Sequence, residues 1–429
     1  MLVEFRVENH RSLRDEQVLS LEARAGAAAS DSRPRRVAGY GSHLLPTAAI
    51  YGANASGKSN VLSALAFARD AVVESHRQWP SDGGVPRASF AWGLSASEPS
   101  LFEVTLVLDG VRFEYGFVAN DERFVEEWLF AWPKGRKQTW FLRDATDEAD
   151  TYSFGRHLRG DNETVRRVTR PNALFLSTAS QLSHEQLSPL HLWFSSLCVL
   201  GVAARGRDVG RIGRLTLEGT IDAAVGMPFR LYLALQKDAD PLGEQFKAFI
   251  RAFDVGIVDI RTVPTHEDPG GPTYGRKSGS LMRLRHRSSA DDAWLPLGDE
   301  SRGTVSLIGI APYIMDALDA GAVLAIDELE ASLHPLIALQ VVRLFNDPAT
   351  NPHNAQLIFT THDTHLLGRK SDPTPLRRDQ IWLTEKDAEG ATTLYPLTDY
   401  KPRKAENLET GYLQGRYGAI PFLDAIGAE

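Results

Sequence analysis

Eight residues, Gly52-Ala53-Asn54-Ala55-Ser56-Gly57-Lys58-Ser59, constrain the fold of this 429-residue chain more than any other stretch. They match the pattern G-x-x-x-x-G-K-[ST] and stand between an apolar run, Ala48–Tyr51, and a segment with helical spacing through Val61, Leu62, Leu65, Ala66 and Val72. A strand that turns through such a loop into a helix gathers backbone N–H groups and the positive end of the helix dipole around an anion. Glycine lets the backbone wrap that closely. In this setting Lys58 reaches the β- and γ-phosphates of a nucleotide and Ser59 coordinates magnesium. Gly52, Asn54, Gly57 and Asn60 complete the candidate nucleotide-binding loop.

Two later segments supply the chemistry that a phosphate loop lacks. Val323-Leu-Ala-Ile-Asp327-Glu328 is an apolar strand ending in two carboxylates. A buried strand delivers Asp327 to its carboxyl edge, where magnesium neutralises it, and Glu328 is placed to polarise an attacking water. Gln356-Leu-Ile-Phe-Thr360-Thr361-His362 is a further apolar strand ending in a histidine that can hydrogen-bond a γ-phosphate. Lys58, Glu328 and His362 are therefore the candidate catalytic residues, and Ser59 and Asp327 the candidate metal ligands.

Around these motifs, Ser301–Leu318 and Pro335–Phe345 read as helices and alternate with the apolar strands, the pattern of a buried parallel sheet. Leu101–Phe130 alternates with period two around Asp109-Gly110, a hairpin signal. Leu182–Phe253 is more helical, clearest over Met227–Leu235 and Gly243–Phe253, and carries no sustained heptad; Glu267–Ser280 is a Gly/Pro-rich linker. The organisation expected is one composite unit: lobe I over 1–180, a mainly helical insert over 181–275, and lobe II over 276–429. A net charge of −8 argues against a protein that coats nucleic acid by bulk charge. The N-terminal alternation reads as a strand and not a targeting segment, and Leu307–Ile326, interrupted by Asp316, Asp319 and Gly321, is not a membrane span. The single Cys198 excludes an intrachain disulfide and points to a reducing cytoplasm.

Taken together, these residues resemble the ABC-type ATPase heads of the SMC, Rad50, RecF and OLD group, and most of all the stand-alone AAA15/AAA21 ATPases linked to bacterial phage defence. Phe5-Arg-Val-Glu-Asn-His-Arg-Ser-Leu-Arg-Asp is similar to that group's first strand and following loop. Phe113-Glu-Tyr-Gly-Phe through Glu126-Glu-Trp-Leu and the tail Gly415–Phe422 look like the stand-alone subgroup. The resemblance implies an α/β head, a P-loop NTPase with a mixed sheet, antiparallel β hairpins and a helical insert. It also implies ATP and Mg2+ as cofactors, and a homo-oligomer that is at least a head-to-head dimer. Ser301 and Gly303 would then form the signature motif that meets nucleotide held by the other protomer, although Ser301 also suits a plain helix N-cap. Glu330–Pro335 would be the D-loop, with His334 in either a communicating or a helix-entry role. For the Q-loop glutamine the interval holds Gln78 and Gln138, neither in a distinctive context.

Arg276, Lys277, Arg283, Arg285 and Arg287 form an acid-free basic stretch. It fits a nucleic-acid or acidic-partner surface through Arg283, Arg285 and Arg287, or charge on an exposed sheet edge. Three functions follow: a sensor or assembly ATPase of an anti-phage system with a separately encoded effector, a RecF-like DNA-repair ATPase, or a nucleotide-held scaffold. A built-in OLD-type nuclease is not expected, because Asp363–Glu429 lacks the strand and acid pattern of a TOPRIM domain.

Overall fold

The computed structural model describes residues 1–24, 31–146, 150–202, 229–237, 239–254, 256–264, 280–288, 290, 293–331, 333–368, 374–401 and 406–421. Met227, Arg276, Lys277, Ser332, Phe422 and all but the last residue of the expected Glu267–Ser280 linker lie outside them, as does the 275/276 boundary.

The phosphate-loop strand Thr47–Gly52 is buried at every position because it runs inside a six-stranded sheet. The order across that sheet is Cys198–Leu200, Val323–Ile326, Gln356–Thr360, Thr47–Gly52, Ile381–Lys386 and Thr392–Pro396. The first five strands are parallel and the last returns antiparallel. The strands carrying the motifs are thus neighbours in space, with the Gln356–Thr360 strand between the Asp327 strand and the phosphate-loop strand. Alternation explains the double burial: Ala48 and Ile50 join one apolar cluster with the helix Lys58–Glu74, whereas Ala49 and Tyr51 join another with the helix Pro335–Asn346.

Beyond the helix Lys58–Glu74 lies a seven-stranded antiparallel sheet, in the order Thr151–Phe154, Gln138–Asp144, Phe124–Trp132, Val111–Ala119, Ser100–Leu108, Leu2–Glu8 and Gln17–Ser20. Its central hairpin turns as expected, with Asp109 at φ 49° and Gly110 at φ 76°, the left-handed pair that matches strand twist. Helices Phe175–Gln181 and Ser188–Ser196 share this core. Fully buried Glu127 fixes the first of them by accepting from the N–H groups of Phe175 and Leu176, at 2.7 and 3.0 Å, and from Tyr115 Oη at 2.9 Å. Burial pushes the Glu127 carboxyl up, and Arg143 opposes the shift.

A third, smaller unit packs helices Phe229–Leu235 and Pro241–Phe253 and the start of helix Arg302–Ala320 onto a sheet of Ile257–Pro264, Ser280–His286 and Trp294–Pro296. Between residues 181 and 275 the chain therefore supplies helices, one strand of the small sheet, and also Cys198–Leu200, the edge strand beside Val323–Ile326. Ser280–His286 is the middle strand of its sheet, which corrects the reading of its arginines as edge charge. Among the described residues no helix is long and apolar enough to cross a membrane.

Candidate nucleotide site

The strand Thr47–Gly52 ends where the helix Lys58–Glu74 begins, and the loop between them is set by backbone geometry. Ala55 has φ 62° and Gly57 φ 107°. A side chain at Gly57 would be strained, and its Cβ would sit 2.1 Å from Thr392 Oγ1. Gly57 caps the helix without a side-chain acceptor, so the first turn presents amide donors where an anion binds best. Lys58, only 6% exposed, folds back over the loop and donates to the carbonyls of Gly52 and Ala53 at 3.0 and 2.9 Å. Burial lowers its pKa, and the carboxylates of Asp327, Glu328 and Glu330 pull the other way.

The acids come to this loop through the parallel sheet. Ser59 Oγ donates to Asp327 Oδ1 at 2.9 Å across 268 residues of sequence. Thr360 Oγ1 donates to the same oxygen at 2.6 Å and accepts from the Glu328 N–H at 2.7 Å. One threonine therefore sets both carboxylate residues. The Asp327 N–H donates to Leu200 O at 3.0 Å, which ties it to the edge strand. Glu328 is exposed and held at φ 51°, an uncommon conformation for a non-glycine residue that the Thr360 bonds sustain. His362 follows the next strand and is also exposed. Partial burial and the Lys58 charge lower its pKa, against Glu330, Glu328 and Asp327, which favours the neutral imidazole with one N–H to donate.

These residues fit ATP and Mg2+. A hydroxyl and a carboxylate oxygen 2.9 Å apart are hard ligands suited to magnesium, and an ammonium lies beside uncapped helix amides. Lys58, Ser59, Asp327, Glu328 and His362 are thus brought together by contacts or by mutual electrostatic influence. Asn54 is exposed at the loop tip, and Asn60 Nδ2 donates to Ser12 Oγ at 2.6 Å, which fastens the helix start to the N-terminal loop.

Ser301 and Gly303 are placed elsewhere. Ser301 N-caps the helix Arg302–Ala320, accepting from the Thr304 N–H at 3.1 Å, and no described hydrogen bond joins it or Gly303 to the phosphate loop. Gln78 and Gln138 likewise make no described bond to Lys58, Ser59 or Asp327. His334 Nδ1 accepts from the Leu336 N–H at 3.2 Å, the helix-entry role.

Sequence reasoning missed a hydroxyl network that braces the loop from both ends of the chain. Thr384 Oγ1 lies 2.6 Å from Ser56 Oγ and donates to Tyr51 O at 3.2 Å. Thr392 Oγ1 donates to Ser56 O at 2.8 Å and meets Ser12 Oγ at 2.7 Å. Isolated threonines more than 300 residues away in sequence, and a lone serine in the N-terminal loop, carry no local signal of this role.

The family model described as "AAA domain, putative AbiEii toxin, Type IV TA system" matches residues 48–368. No curated protein matches the chain. Among solved structures, the SMC head domain from Thermotoga maritima aligns at 13% identity and a TM-score of 0.39, covering 92% of this chain and 98% of that one. The family match runs from the phosphate-loop strand past His362 and so takes in the whole constellation of Lys58, Ser59, Asp327, Glu328 and His362. This chain belongs to the AAA_21 family of P-loop ATPases.

Proposed function

We propose that the protein binds ATP with magnesium at this site, hydrolyses it, and associates head to head on ATP as the sensor or assembly subunit of an anti-phage system with a separately encoded effector. The observation that carries the ATPase reading is the bond from Ser59 Oγ to Asp327 Oδ1, which joins the phosphate loop to the strand-end acids. Lys58 would exchange the carbonyls of Gly52 and Ala53 for phosphate oxygens. Ser59 and Asp327 would hold magnesium, which when bound would neutralise charge at the phosphates. Glu328 would orient and deprotonate the attacking water, and His362 would donate its N–H to the γ-phosphate. Association in trans is supported by Ser301, which is exposed at a helix start that no described bond joins to its own phosphate loop. The family's description refers to a toxin–antitoxin system, which supports an ATPase working beside a second protein.

Light scattering with Mg2+ and a non-hydrolysable ATP analogue should show at least a doubling of mass relative to nucleotide-free protein, and specific ATPase activity should rise with protein concentration. A mass unchanged by nucleotide, with activity independent of concentration, would remove head-to-head association from the proposal.

One observation favours a second reading, DNA binding. Met282 and Leu284 face the core of the small unit, so Arg283 and Arg285 lie on the opposite face, and Arg261 stacks over Trp294 there at 4.0 Å. Arginine beside a half-buried aromatic suits phosphate and base contacts. Salt-sensitive DNA binding should weaken about tenfold or more in Arg261→Ala/Arg283→Ala/Arg285→Ala, because each phosphate that an arginine neutralises releases roughly one counterion. Binding that survives the triple substitution would sink this reading.

A further inference from the structure

Glu330 lies three residues past Asp327, in the turn before the helix Pro335–Asn346, and has no part in the scheme above. Its Oε1 accepts from the backbone N–H of His362 at 2.5 Å. Its Oε2 is buried and has no described partner, so the bond to His362 is the one described hydrogen bond of this carboxylate. The loops leaving the two neighbouring strands are already tied through Thr360, which receives the N–H groups of Glu328 and Leu329 at 2.7 and 3.1 Å. Those bonds end one strand residue short of the histidine.

On either side of His362 the chain is anchored from other directions. The Thr361 N–H donates to Ile50 O at 3.0 Å, Tyr51 Oη donates to Asp363 O at 3.0 Å, and Thr364 Oγ1 donates to Glu409 at 3.2 Å. His362 itself is largely exposed, and no described hydrogen bond holds its ring. Only the Glu330 carboxylate holds its own peptide group among the described bonds.

We infer that Glu330 is a positioning residue that latches the His362 peptide and thereby aims the imidazole at the γ-phosphate. The inference rests on the ATPase reading proposed above. What the latch requires is an acceptor oxygen at full glutamate reach. Negative charge and basicity are not required, because the partner is a neutral amide N–H. Glutamine therefore preserves the latch, whereas aspartate keeps the charge but falls one methylene short. A metal ligand or general base at this position would behave in the opposite way, tolerating aspartate and failing with glutamine.

The test uses the full chain and three measurements: steady-state phosphate release with Mg-ATP, affinity for a fluorescent ATP analogue, and hydrogen exchange of the 360–364 amides without nucleotide. Glu330→Asp and Glu330→Ala should lower kcat about 10–50-fold while ATP affinity moves less than about threefold, and Glu330→Gln should keep about half of wild-type kcat or more. Glu330→Ala added to His362→Ala should cost nothing further, since the two act as one unit. The 360–364 amides should exchange about tenfold faster in the Asp and Ala variants and unchanged in the Gln variant. Active Glu330→Asp with inactive Glu330→Gln, losses that multiply, or unaltered exchange in Glu330→Asp would each overturn the latch. If the wild-type protein fails to turn over ATP, the functional reading falls, and the exchange comparison still decides whether Glu330 holds the histidine loop.

Discussion

Glu328→Gln is expected to lower ATP turnover by about 10²–10³-fold while leaving ATP affinity within about threefold of wild type. The carboxylate is exposed at the end of a buried strand, and its backbone is held at φ 51° by bonds that do not involve its side chain. Glutamine keeps the length, the shape and the Thr360 contact to the peptide, so the strand end and the Ser59–Asp327 pair should persist. What it loses is the ability to take a proton from water. Binding should then proceed and turnover stall, so the variant should accumulate the ATP-associated state that wild type only visits. Phosphate release, titration with a fluorescent analogue, and light scattering in Mg-ATP read the three quantities separately. Turnover near the wild-type rate would remove Glu328 as the residue acting on water. Lost nucleotide binding would show that the carboxylate belongs to the binding site instead.

The parts of this site that were legible in the sequence are those in which one short segment carries both the chemistry and the local geometry. Gly52–Ser59 announces a strand, a phosphate loop and a helix together, and the short apolar runs before Asp327-Glu328 and before His362 read as buried strands, which they are. Helices at 302–320 and 335–346 likewise follow from spacing and from N-caps at Ser301 and His334. The illegible parts are tertiary. Cys198–Leu200 is three residues long within a largely helical stretch, and only pairing with Val323–Ile326 makes it a strand. Ser280–His286 shows alternation, but alternation does not say whether a strand is central or at an edge, and two flanking partners decide the matter. Thr360 was visible as part of a motif, yet its position between Asp327 and Glu328 depends on the register of two parallel strands. Ser12, Thr384 and Thr392 converge on the phosphate loop because the chain's two ends flank it.

Lys58→Met should abolish nucleotide binding, raising the Kd for ATP about 100-fold or more, which corresponds to about 3 kcal/mol for removal of a charge-assisted bond to phosphate. Methionine keeps the unbranched apolar stem of lysine as far as the ε position, so the helix start keeps its packing. The carbonyls of Gly52 and Ala53 lose a donor at 3.0 and 2.9 Å, which costs some stability. Against this stands the burial of the ammonium, the largest influence on Lys58, which lowers its pKa despite three facing carboxylates. For such a group the unfolded chain holds more protons than the native one between the lowered native pKa and 10.5, so its contribution to stability rises with pH through that window. Below that window the buried charge opposes folding, and removing it offsets the missing carbonyl bonds. Nucleotide-free Lys58→Met should therefore melt within a few degrees of wild type, about 1 kcal/mol in a chain of this size. With Mg-ATP present, wild type should gain several degrees and the variant none, because only a state that binds ligand is stabilised by it. That pattern separates Lys58 from Glu328, whose glutamine variant should keep the full ATP-dependent shift. A Lys58→Met protein that retains the wild-type shift would mean that the loop does not hold phosphate through its lysine.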